Sequence, residues 1–129
     1  MNSYSGLQTF EKDGISFSHE SVMPNGDAIQ FRSAKKGAGT LYNTTSLGKI
    51  ASVVVTISSK ANASYYGALS LYVSATPLTS IEGGTKVEST NDGTTWTYNV
   101  TGDYGYLYLI DETDYSSQNA SIVINYAIA

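Results

Sequence analysis

Thr94-Thr95-Trp96-Thr97-Tyr98-Asn99-Val100 and, shortly after, Tyr104-Gly105-Tyr106-Leu107-Tyr108-Leu109-Ile110 place an aromatic ring at every second position. Side chains alternate between the two faces of a β-strand but recur every three to four residues on a helix, so this period reads as strand. Ile122, Ile124 and Tyr126 repeat the pattern near the C-terminus. Leu107 and Leu109 are expected to face a core. Tyr106 and Tyr108 then lie on the other side, at least half exposed, since tyrosine tolerates an interface with its hydroxyl wet.

Upstream the same grammar continues. Ala51, Val53, Val55 and Ile57 are expected to share one face of a central strand, and Leu69, Leu71 and Val73 one face of the next, which Pro77 stops. Asn91-Asp92-Gly93 is the clearest hairpin signal, because Gly accepts the positive φ that a tight reversal demands. Ile15 with Phe17 and Ile29 with Phe31 mark two early strands, with Pro24-Asn25-Gly26-Asp27 as turn chemistry between them. Thr40–Asn43 makes a brief strand, and Ile81–Val87 one interrupted by Gly83-Gly84. Nothing shows the periodicity of a long helix. About eight or nine strands at ten-residue spacing, each with one face to bury, call for an all-β, two-layer antiparallel β-sandwich of the jelly-roll or immunoglobulin-like kind.

The 129 residues suffice for one such core. Residues 15–129 form the sandwich domain in this reading. Residues 1–14, where Tyr4, Leu7 and Phe10 recur at a spacing of three before Asp13-Gly14, form an irregular N-terminal arm able to dock on a neighbour.

Polarity comes from Ser, Thr, Tyr, Asn and Gly more than from charge. Only 14 % of residues are charged, against about 25 % in ordinary soluble chains. The net charge is −4 and the basic residues form no stripe beyond Arg32, Lys35 and Lys36, which argues against nucleic acid as a partner. No cysteine is present, so disulfides and thiolate metal sites are excluded. The longest apolar run, from Ile50 to Ile57, is far too short for a membrane helix. The residues after Met1 lack the basic and apolar regions of a secretory signal; the chain is expected either to be used without secretion or to begin a piece of a larger secreted protein.

No catalytic constellation emerges, and an enzyme is not expected. The one histidine, His19, has Glu20 beside it, but no Gly-x-Ser-x-Gly elbow accompanies it. Asp103, Asp111, Glu112 and Asp114 could be paired for glycoside cleavage, but acidic residues between strands are more often simply solvated. The same carboxylates make a structural calcium ion the one metal to consider, if they converge at an end of the sandwich. The Asn-x-Ser/Thr sequences at Asn43, Asn62, Asn99 and Asn119 read as composition. The aromatic residues Trp96, Tyr98, Tyr104, Tyr106 and Tyr108 are the candidate ligand or partner surface: sugar rings stack on exposed aromatic faces, and protein partners use them equally.

The order Ile29-Gln30-Phe31, Gly39 to Asn43, Gly48-Lys49-Ile50 leading into a valine-rich strand, Leu69 to Val73, Tyr106-Leu107-Tyr108 and Ile122 to Tyr126 resembles β-sandwich modules of bacterial extracellular proteins and phage virion surface proteins. The resemblance runs from about residue 28 to the C-terminus and is one of strand order. It implies the fold. An initiator Met without an export signal and a hydroxyl-rich surface of low charge lead to the expectation of a structural or interaction protein located on a virion, decorating a capsid or tail, with other virion proteins or further copies of itself as partners. The alternative, which shares the fold and accounts for the tyrosines as well, is a carbohydrate-binding module of a secreted bacterial enzyme or adhesin, extracellular or at the cell surface, with glycans as ligands.

Overall fold

A computed structural model of the chain describes residues 8–12, 14–25, 28–57, 69–115 and 117–127. Among them are twelve strands in two six-stranded sheets, every pairing antiparallel. The first sheet runs, edge to edge, β1 (Gln8–Lys12), β2 (Ile15–Glu20), β5 (Thr40–Asn43), β11 (Tyr106–Ile110), β7 (Ser70–Ser74) and β8 (Thr85–Val87). The second runs β3 (Val22–Asn25), β4 (Ala28–Phe31), β12 (Ser117–Ala127), β6 (Lys49–Ile57), β10 (Thr95–Asn99) and β9 (Ser89–Asp92). A 3₁₀ turn, Ala34–Lys36, lies between β4 and β5.

The core fills the space between the sheets. Ile15, Phe17, Leu71, Val73, Leu107 and Leu109 come from the first sheet and Phe31, Ile50, Val53, Val55 and Tyr98 from the second, all buried. Leu107 and Leu109 thus face inward as the alternation predicts.

Two hairpins follow their turn residues. Lys12 pairs with Ile15 across Asp13-Gly14, and Asp92 with Thr95 across Gly93-Thr94, Gly14 and Gly93 both having positive φ. Two single residues carry the chain from one sheet to the other: Ser21, the one described non-glycine with positive φ (57°), between β2 and β3, and Glu88 between β8 and β9.

Four expectations need correction. Residues 8–12 are an edge strand paired with β2 instead of an irregular arm, so Phe10 belongs to the sheet; Tyr4 and Leu7 lie outside the described residues. Pro24 is inside β3, which its place at a sheet edge permits, since an edge strand can spare an N–H. Ala51 is exposed while Ile50 is buried: the β12 register steps from Asn125–Ser52 to Tyr126–Ile50, so Ala51 is the extra residue of a β-bulge that reverses the alternation. The strand expected over Ile81–Val87 is only Thr85–Val87, and Ile81 is exposed in the loop before it.

Candidate functional site

The five aromatic residues proposed as one surface are distributed over three environments. Trp96 and Tyr98 lie in register with Val55 and Val53 of β6, on the inner face of the second sheet. Tyr98 is 2 % exposed, its hydroxyl donates to the Leu69 carbonyl, and burial pushes its pKa up to about 12. Tyr106 and Tyr108 project from the outer face of the first sheet, yet Tyr108 is only 6 % exposed and Tyr106 is partly buried, so neither is half exposed as expected. Tyr104 precedes β11, partly buried against the core.

The burial of Tyr108 has a clear cause. The register aligns Ser18, Tyr42, Tyr108, Tyr72 and Lys86 in one row across the outer face of the first sheet. Tyr42 and Tyr108 stack with ring centroids 5.2 Å apart and planes 19° apart. The loop between β7 and β8 lays Leu78, itself buried, against them, making a second small core. At the open end of the row the Tyr72 hydroxyl donates to Glu112 Oε1 (2.9 Å), which also meets Lys86 Nζ at 3.9 Å. The centre of the first sheet's outer face is therefore closed by its own loop, while Thr9, Glu11, Glu20 and Lys86 toward its edges stay exposed.

The outer face of the second sheet is open and chemically different. Three cross-strand rows make its centre: Ser121, Thr56, Thr95 and Asp92; Val123, Val54, Thr97 and Thr90; and Asn125, Ser52 and Asn99. Asp92, at the β9 end of the first row, is the one charged side chain in them, and Lys49, in register with Ala127, lies beyond the third; the strands β12, β6 and β10 carry none within the rows. Val123 is 48 % exposed in the middle, and Asn125 Nδ2 donates to Ser52 Oγ (2.9 Å). The face offers methyls, hydroxyls and amides. Sequence reasoning missed it because threonine and serine at alternate positions read as ordinary solvent-facing residues; the missing charge in Ser52, Val54 and Thr56 opposite Thr95 and Thr97 was the signal available.

The carboxylates considered for calcium or glycoside cleavage do not converge. Asp103 and Asp111 stand beyond opposite ends of β11, and Asp103 pairs with Lys49 at 3.5 Å on the surface. Glu112 is engaged by Tyr72 and Lys86. Asp111 is fully buried: Oδ1 accepts from the Thr113 amide (2.9 Å) and hydroxyl (2.7 Å), while Oδ2 has no hydrogen-bond partner among the described residues. Burial raises its pKa to about 6, against the opposing pull of the Thr113 bonds. No group of three metal-ligating side chains comes together among the described residues. His19 faces the core in register with Leu41, 4 % exposed, and burial lowers its pKa.

A cleft of about 270 Å³ opens where β8 meets the end of β10. Val73, Val87 and Val100 line it on the apolar side, and Thr85, Lys86, Glu88, Asn99, Thr101 and Tyr104 complete it. Of the aromatic residues singled out from the sequence, Tyr104 is the one in this cleft.

Two of the four Asn-x-Ser/Thr asparagines, Asn43 and Asn119, are fully buried, and Asn99 is exposed; Asn62 lies outside the described residues. No family model matches the chain, and no curated protein matches it.

Proposed function

We propose that the chain is a non-enzymatic structural and interaction module, a phage virion protein that decorates a capsid or tail surface and packs against neighbouring virion proteins through the outer face of the second sheet. The observation that carries this is the uncharged field around Val54, Val123 and Thr97, with Val123 about half exposed at its centre. A chain of net charge −4 repels its own copies, and a contact centred on the uncharged part of this face keeps like charges at its rim. Apolar centre and polar rim are also the layout of protein interfaces, where desolvation of the middle supplies most of the affinity. The centre of the other broad face is occupied by its own loop over Tyr42 and Tyr108.

The test is incorporation. Particles purified from the source culture should contain the chain by mass spectrometry, and Val123→Glu should lower its occupancy while leaving its circular dichroism spectrum unchanged. A chain missing from particles, or a charged variant incorporated at wild-type level, contradicts the proposal.

A further inference from the structure

The cleft at Tyr104 adjoins the second sheet's open face, with which it shares Asn99, and brings polar side chains together with an apolar wall. Its volume of about 270 Å³ lies just under the ~300 Å³ at which small-molecule pockets begin, which limits the occupant to about one ring. One wall is the crossing from β8 to β9 through Glu88, and the other is the segment that leaves β10 for β11.

Tyr104 is held firmly at this cleft. Its carbonyl accepts from the Ile50 amide (2.9 Å), and the next carbonyl, of Gly105, accepts from the Leu47 amide (2.8 Å) and from Asn43 Nδ2 (2.9 Å). Its ring lies so close over Gly102 that a Cβ there would come within 2.9 Å of Cε2, and Gly102 has a φ of 108° that suits glycine alone. An aromatic ring fixed in place loses little entropy when a ligand stacks on it.

We propose that this cleft is a shallow saccharide subsite in which one sugar ring packs its C–H face on Tyr104 and meets Thr85, Glu88, Asn99 and Thr101 with its hydroxyls. The lining chemistry selects that class. Hydroxyl, amide and carboxylate groups beside an apolar wall match a ligand that alternates hydroxyls with C–H bonds. Phosphate is disfavoured, because Lys86 is the one cation in the lining and its ammonium turns to Glu112. A site this small and open binds in the roughly millimolar range, so useful avidity comes from many copies displayed together.

The full chain is to be screened on an array of printed mono- and oligosaccharides, and the strongest ligand titrated by NMR. Amide shifts should centre on Thr85, Val87, Thr101 and Tyr104. Tyr104→Ala should weaken binding about threefold to tenfold, the scale of one aromatic contact, and Tyr104→Phe should retain most of it. Should Tyr104→Ala fail to fold, Glu88→Ala and Thr101→Ala, both at exposed positions, should each weaken binding severalfold. Val123→Glu, outside the lining of the cleft, should bind the sugar as wild type does. A silent array, shifts that centre elsewhere, or an affinity indifferent to Tyr104→Ala and Glu88→Ala overturns the subsite and leaves the protein-contact proposal untouched.

Discussion

At the scale of single residues, two buried polar side chains shape the molecule. Asn43 ends β5, and its amide does what the next step of the ladder would do: Oδ1 accepts from the Leu107 amide (2.8 Å), while Nδ2 donates to the carbonyls of Thr45 (2.8 Å) and Gly105 (2.9 Å). Asn43→Leu orphans the buried Leu107 amide, at about 1–3 kcal/mol, while the Gly105 carbonyl keeps the Leu47 amide as donor. A loss of roughly 2 kcal/mol is expected in urea unfolding, and a loss below 1 kcal/mol would show that the amide is not what joins β5 to β11. Asp111 imposes a pH dependence. Below pH 3.8 its carboxyl is protonated in folded and unfolded chains alike; above that the unfolded chain releases the proton while the folded chain holds it to about pH 6. Stability therefore falls as pH rises through this window, by on the order of 3 kcal/mol, and levels off above it. Asp111→Asn should gain on wild type by that amount between pH 4 and pH 7 in paired urea titrations, and parallel curves would contradict the assignment. Neither role was legible in the sequence. Asn43 looks like part of an Asn-x-Thr composition and Asp111 like the first of a solvated acidic run, because the burial of each is decided by strands distant in the chain.

At the scale of elements, legibility followed local chemistry. The β9–β10 hairpin announced itself through Asn91-Asp92-Gly93, where Asn91 Nδ2 also donates to the Gly93 carbonyl (3.1 Å). Bulges and added edge strands depend on partners, so the position of Ala51 and the pairing of Gln8–Lys12 could not be read from their own residues. The loop that covers Tyr108 carries no periodic signal, which is why those tyrosines were expected to be exposed. Gly39 marks where elements meet: a Cβ would lie 2.7 Å from the Arg32 amide nitrogen and the Ser21 carbonyl and 2.9 Å from Phe31 Cα, all backbone. Those atoms are held by the bonds from Arg32 to Ser21 (3.0 Å) and from Gly39 to Arg32 (2.8 Å), so none can yield cheaply. Gly39→Ala should cost roughly 3 kcal/mol, at the upper end for overpacking. Gly93→Ala has open space and pays only for its positive φ, ~1 kcal/mol. Thermal melts of the two variants should separate in that order, and equal melts would remove the junction's special standing.

At the scale of the whole molecule, the sandwich has two unlike outer faces. One closes on itself at its centre through Leu78 and the stacked Tyr42–Tyr108 pair; the other stays open, with an uncharged centre between Asp92 and Lys49. The sequence-level expectation of a two-layer antiparallel sandwich is met, because alternation is a property of each strand alone, whereas which outer face remains open depends on how a loop folds back. A charge buried without a partner in an interface costs several kcal/mol, so Val123→Glu should reduce assembly tenfold or more, whereas Ile81→Glu, also at an exposed apolar residue, should not. Equal effects of the two substitutions would point to charge in general and away from this face. The most direct measurement is hydroxyl-radical footprinting of the chain free and within purified particles. Protection of Val54, Thr97 and Val123 on assembly, with Ile81 and Tyr115 labelled equally in both states, is the predicted result; Val123 labelled as strongly in the particle as in the free chain would contradict the proposed contact.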